Sequence, residues 1–579
     1  MRMRNALWLL VFLAAPVCAQ QARLDERLPA STTFYVYWRG AASYEPVKNT
    51  NPLLLMWNDP EFAPARAELL DQIARNFSKT PVPAALTREM VLALLENPFV
   101  VGAVSTGKPA ETKLLAKNGA EKPAVPDNTF LLYDATEKKQ LLEKILSLEF
   151  AGAGSPPAIT RSAFGKTSIE AVAAEKETYY RAFVGNFFIR AAQKAILEDL
   201  IGRLETATPP AANLTTLAEY QDARRVIGEQ ASLEFLLRIP DLTKAGLPGT
   251  SGVNADAVMK PLGVEKLRAV CGGLTFTAEA TRARGAVLGD TSPGGLFDLL
   301  AGESTSNFAT MAAAPAGTAS FTAFRLDLPA IYKLVRSVVN AVMPSQQGNP
   351  ADALEGMAAT GLGMSIPDAL GLFSGEFATY STDLGIDPYS NYYAVGIHKP
   401  QQVLSLLRTF LRDKILSEDG AGQNTVLSVT TSFADLKTGA PRKRFYYLGV
   451  TPQLLLVSPR KTALRETLQR LAAPAGSSAA ILAADAKFAA ARGRIPQSLS
   501  GISYFDLSRV RWEAELESAG PATADPPKSG AAATPAAASS AAPDWRKLVS
   551  PAVLSRYLHL AVSGWWKGPD CLHFDGFIE

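Results

Sequence analysis

The sequence predicts an α+β fold made of two homologous halves from an internal duplication, each an antiparallel sheet backed by helices. Three observations carry this expectation. Lys194–Leu204 aligns with Lys461–Leu471 at an offset of 267, and Tyr220–Ile227 aligns with Phe488–Ile495 at an offset of 268. Four segments (33–38, 233–238, 321–326 and 502–505) alternate with the period of a strand and lead into helical stretches. Each is followed, some tens of residues later, by a hairpin-like pair of strands.

The elements follow in chain order. Met1-Arg-Met-Arg4, the apolar run Ala6–Ala15 and Pro16-Val-Cys-Ala19 read as a secretory signal peptide over 1–19, cleaved after Ala19. The run is too short to span a bilayer, and no later run reaches the length a membrane helix needs. The first half occupies 20–300 and a linker 301–316. The second half occupies 317–579, broken by an Ala/Pro-rich stretch at 518–543 that lacks the apolar bulk to fold. A smaller break, Pro344–Pro350, sits in the equivalent place of the third unit.

The expected hairpins are 99–104 with 129–133, 267–276 with 284–288, 375–380 with 391–395, and 557–562 with 572–574. Helices at 136–148 and 400–411 follow the first and third hairpins, each leading to three short strands and another helix. In the last hairpin, Leu558, Leu560, Val562, Leu572 and Phe574 fall on one buried face. His559, Ser563, His573 and Asp575 fall on a wet one. Asp241, Asp327 and Asp506 stand where helix N-caps belong, and Ser458 stands as a cap before the helix that begins with Lys461.

Composition narrows the function. Apolar residues make up 47% and charged residues 20%, as in ordinary globular domains. The net charge of +3 falls toward neutral once Arg2 and Arg4 leave with the signal. That argues against a nucleic-acid partner or an electrostatic membrane anchor. Export leaves Cys271 and Cys571. An oxidising compartment permits a disulfide between them; two unpaired thiols on the polar faces of similar strands is the other reading.

No local motif supports catalysis. Gly165-Lys166-Thr167 resembles the end of a phosphate loop, but Thr160 replaces the required glycine. Ser458-x-x-Lys461 with Lys437-Thr438-Gly439 echoes penicillin-recognising serine enzymes, in reversed order and without Ser-Asp-Asn. His559 and His573 with Cys571 would hold zinc only with a distant further ligand. No cofactor is expected. Trp38, Trp57, Trp565 and Trp566 are read as core and turn packing, or as an exposed recognition patch.

Leu28–Tyr37, Asn58–Phe62 and Leu217–Arg224 leading to Leu233-Glu-Phe-Leu-Leu237 resemble a family of exported bacterial proteins carrying a domain of unknown function. The resemblance implies an envelope protein and supplies no catalytic residues. The expected role is non-enzymatic binding or scaffolding in the periplasm or outside the cell, with an unknown envelope protein or an apolar ligand as partner. The alternatives are a carrier for a lipid and a hydrolase of an envelope polymer. A filled core with a flat aromatic patch would point to partner binding, and an apolar tunnel to lipid carriage.

Overall fold

The computed structural model describes residues 23–78, 87–105, 128–148, 158–173, 178–206, 210–239, 259–292, 295–342, 350–384, 391–420, 424–434, 441–473, 481–512 and 549–579. The expected signal peptide, Asp241, Lys437-Thr438-Gly439, most of the Pro344 break and the 518–543 stretch lie outside these residues. Among the described residues, no helix is long and apolar enough to cross a membrane.

The protein is mixed α and β around a large antiparallel sheet. The first ten strands are β1 (Thr32–Trp38), β2 (Phe99–Val104), β3 (Thr129–Asp134), β4 (Ala158–Phe164), β5 (Thr167–Ala173), β6 (Thr178–Val184), β7 (Phe187–Ala191), β8 (Leu233–Arg238), β9 (Leu267–Phe276) and β10 (Thr281–Gly289). The next ten are β11 (Ser320–Arg325), β12 (Phe373–Ser381), β13 (Tyr392–Ile397), β14 (Ile415–Asp419), β15 (Thr425–Ala434), β16 (Pro441–Val450), β17 (Leu454–Ser458), β18 (Gly501–Phe505), β19 (Ala561–Lys567) and β20 (Cys571–Ile578). Four strands, not the expected three, separate the helices in each half, because β4–β7 and β14–β17 are two hairpins each.

Their order is linear. It runs β4-β5-β6-β7-β3-β2-β1-β8-β9-β10. It then crosses a β10–β20 ladder and continues β20-β19-β18-β11-β12-β13-β17-β16-β15-β14. The separate sheets expected for the two halves are therefore one.

Helices cover the face here called inner and parts of the other, here called outer. In the first half, helices Lys194–Glu205 and Ala218–Ile227 bury Leu197, Leu200, Ile201, Tyr220 and Ile227 over Tyr35, Val100, Leu132, Ile189 and Leu236. In the second half, helices Lys461–Ala472 and Ala486–Arg492 bury Leu464, Leu468 and Phe488 over Phe321, Ala394, Leu456, Ile502 and Tyr504. A third core closes one end of the outer face. There helices Pro52–Asn58 and Pro551–Tyr557 cover Trp38, joined by Trp57, Phe276 and Trp512. Arg556 Nη1 lies 2.6 Å from Asp59, and Tyr557 Oη donates to the same carboxylate at 2.9 Å.

The capping expectations divide. Asp327 Oδ1 accepts from the Ala330 N–H at 3.0 Å, as expected. Asp506 caps no helix; its carboxylate takes Lys487 Nζ and Ser508 Oγ instead. Ser458 closes a turn with the backbone of Arg460, one residue before the helix it was expected to cap.

The last hairpin keeps the expected facing on its first strand, where Leu560 and Val562 are buried and His559 is exposed, and reverses it on the second. Val562 pairs with Phe577, and Trp565 pairs with Phe574, so even positions on β19 meet odd ones on β20 or the reverse. A one-residue slip moves every side chain of a strand to the other face. Asp575 and Phe577 are buried, while Phe574 is 41% exposed.

Close packing in this hairpin needs a bare backbone opposite it. A Cβ at Gly501 would sit 2.0 Å from the Trp565 ring, which lies flat across that backbone. Gly501→Ala is expected to lift the ring and destabilise the protein by about 1–3 kcal/mol, read by urea denaturation and tryptophan fluorescence.

Candidate functional site

The strands around the β10–β20 ladder carry different chemistry on their two faces. On the outer face, directly paired residues build a row across the sheet: Val101, Val36 and Phe235, then Gly272 and Gly285, then Phe574 and Trp565. Beyond Gly501 it continues into Phe324 and Phe377, whose rings stack at 5.7 Å. A second row lies beside it: Phe34, Leu237, Val270, Val287 and Leu572. All five of these are half-buried, and Val101, Phe235 and Phe574 are more than a third exposed. The ring of Phe235 reaches within 2.6 Å of where a Cβ at Gly272 would stand, so the surface stays flat.

Period-two alternation explains the outward turn. In Leu233-Glu-Phe-Leu-Leu-Arg238, one parity gives Leu233, Phe235 and Leu237, and the other gives Glu234 and Leu236. The strand turns its acidic parity inward.

On the inner face Glu234 is fully buried opposite Tyr37. Its carboxylate accepts from Arg224 Nη1, and Arg39 Nη2 lies 3.6 Å away. Next to this pair, the buried Asp25 accepts from Arg23 at 2.8 Å and from the Tyr220 hydroxyl. On β18, which pairs with β11 as β8 pairs with β1, Ile502 stands opposite Ala323. One core is thus threaded with charge where the other is apolar.

Burial pushes the Glu234 carboxyl up to about 7; Arg224 and Arg39 oppose this and Asp25 adds to it. A raised acid holds its proton more tightly folded than unfolded. The stability it contributes is full below its ordinary value of 4.5 and is lost as pH rises through about 7. Urea denaturation through that window is expected to show a fall on the order of 3 kcal/mol that Glu234→Gln removes.

The cysteines are both buried and free. Cys271 lies on β9 and Cys571 on β20, with β10 between them: Cys271 pairs with Ala286, and Cys571 pairs with Leu288. Strands two places apart are separated by roughly 9–10 Å, beyond the roughly 7 Å limit for a disulfide. The bridge is ruled out by that intervening strand, and both thiols face the core rather than a polar surface. Burial pushes Cys271 up to about 12 and raises Cys571 as well. His573 Nε2 lies 3.0 Å from Cys571 Sγ and its ring stacks on Trp566 at 4.7 Å. Burial holds that imidazole below its ordinary value. The pair is therefore a neutral thiol and a neutral imidazole, not an activated nucleophile. Denatured without reductant, a chain starting at Gln20 is expected to titrate both thiols with an aromatic disulfide reagent, and neither while native.

The remaining sequence candidates disperse. Trp38 and Trp57 are fully buried in the third core and present no patch. Trp565 lies in the outer row, whereas Trp566 faces inward on His573. Gly165-Lys166 is the turn of the β4–β5 hairpin. Lys461 pairs with Asp419 at 2.5 Å, leaving Ser458 to the Arg460 backbone. Among the described residues, no three His, Cys, Asp or Glu side chains gather as metal ligands. A surface cavity of about 470 Å³ opens at the end of the ladder, between the 277–280 turn, Arg282, Arg494 and Phe577. Its arginines are engaged by Asp575 and Glu579. Sequence reasoning missed Phe235, Phe574 and Glu234. The lone acid in an apolar strand was the available signal.

No protein-family model, curated protein or solved structure matches the chain.

Proposed function

We propose that this chain is an exported, non-enzymatic binding or scaffolding protein of the bacterial cell envelope, of the family that Leu28–Tyr37, Asn58–Phe62 and Leu217–Arg224 resemble. It engages a partner protein through the outer apolar rows. The observation that carries this reading is the contiguity of those rows across β1, β8, β9, β10, β20 and β19, with Phe235 and Phe574 more than a third exposed. Exposed apolar patches of this continuity mark interaction sites, and each large side chain buried there contributes roughly 1.5–3 kcal/mol. A flat aromatic surface over two filled cores suits a protein partner better than a lipid, which needs an enclosed tunnel.

The same reading includes an ancestral duplication. Strands β1–β10 and β11–β20 take the same places in the order counted outward from the ladder, and the 267–268 offset aligns helix with helix. The proposed role also accords with the seam chemistry, where Asp575 is held by Arg282 and the Cys571 thiol is kept neutral.

A photo-crosslinking residue at Phe235 or Phe574, in the protein expressed in its own envelope, is expected to capture a discrete protein band. The same residue at Phe410, 58% exposed on another surface, is expected not to. Identical capture from all three positions, or capture of lipid alone, would overturn the reading. Osmotic-shock release of a chain beginning at Gln20 tests the export step separately.

A further inference from the structure

A linear sheet has two terminal strands, and among the described residues they are β4 and β14. They are built differently. β14 has five residues and a register shift between Ile415 and Ser417. Its Glu418 and Asp419 are tied to Arg408 and Lys461. Shortness, irregularity and charge are the devices that keep an edge from pairing.

β4 is neither short nor irregular, and Arg161 is its one charged side chain. It runs seven residues in unbroken register, from Ala158 opposite Ala173 to Phe164 opposite Thr167. It contains no proline, lysine or carboxylate, and Ala158 through Ala163 are all exposed. Among the described residues it pairs with β5 alone.

The turn fixes which backbone groups are free. Gly165, at φ 58°, and Lys166 form a two-residue loop, so Phe164 and Thr167 are the hydrogen-bonded pair that closes it. Alternating back from that pair, Ile159, Arg161 and Ala163 occupy non-hydrogen-bonded positions. Their N–H and C=O groups therefore point away from β5, toward a strand not yet there.

Charge says what kind of strand fits. Arg161 is 73% exposed and lies 2.9 Å from Glu170, but Arg181 takes the same carboxylate at 2.8 Å. Arg161 is the one charged side chain of β4, and most of its surface is open to an incoming acid. Ile159, 43% exposed, supplies an apolar contact on the same face as Arg161.

We propose that β4 is an acceptor edge for an extended segment of a partner polypeptide. The segment adds as the next strand, with an acidic residue facing Arg161 and apolar residues flanking it. Main-chain hydrogen bonds would supply the affinity and the acid the register. This rests on the edge itself and is independent of the outer rows.

The test uses the full mature chain and a fluorescent peptide, Thr-Val-Thr-Val-Glu-Val-Thr-Val-Thr, with a second peptide carrying Lys at the centre. Anisotropy is expected to show the acidic peptide binding at least about tenfold more tightly than the basic one. Ala163→Pro removes one outward N–H and leaves the β5 ladder intact. It is expected to weaken binding about tenfold or more, while Ala163→Thr, which keeps the N–H, does not. Arg161→Glu is expected to reverse the preference between peptides. Thermal unfolding confirms that each variant is folded. No binding of either peptide at about 1 mM, or binding indifferent to Ala163→Pro, would overturn the proposal. So would loss of binding in Phe574→Glu, which would place the peptide on the outer rows. A dimer in sedimentation that Ala163→Pro dissolves would assign the edge to a second copy of this chain and overturn it too.

Discussion

The ladder between β10 and β20 is the constraint from which the rest follows. It pairs Thr281 through Leu288 with Ile578 through Cys571, and Arg282 clasps Asp575 across it. It makes one sheet of the twenty strands among the described residues. Cys571, carried on the last strand, packs into the first core. Without this ladder the aromatic rows would be cut in the middle, and two bare strand edges would face each other.

The same few strands divide their labour by parity. One side chain in two turns inward to the helices and the other outward to the apolar rows. That is why Glu234 and Phe235, neighbours in sequence, belong to different chemistries. Glycines at 272 and 501 let aromatic rings lie down on the sheet rather than stand off it. The outer surface is therefore broad and shallow, a shape suited to another flat surface.

Much of the fold was legible where period-two alternation was strong and long. The hairpins at Phe99–Val104 and Leu267–Phe276 emerge within a few residues of where the pattern placed them. The final strand, β20, was misjudged because the turn length before it, not its apolar content, decides which parity faces the core. The disulfide expectation could not know that β10 would lie between the two cysteines. Tryptophan content gave no guide to exposure: Trp38 has the outward parity yet is covered by helices close to the two ends of the described chain, a long-range contact with no local signature. The site itself was least legible, since a lateral row exists only after the strands have been set side by side.

The clasp between Arg282 and Asp575 joins residues 293 positions apart. Such a junction closes only after each flank has organised, because the entropy of bringing distant segments together must be met before their contacts repay it. A chain made from its N-terminus emerges with β10 waiting, unpaired, for its last strand. During that interval the protein is most exposed to mispairing, and folding helpers would find there the segment most in need of shielding.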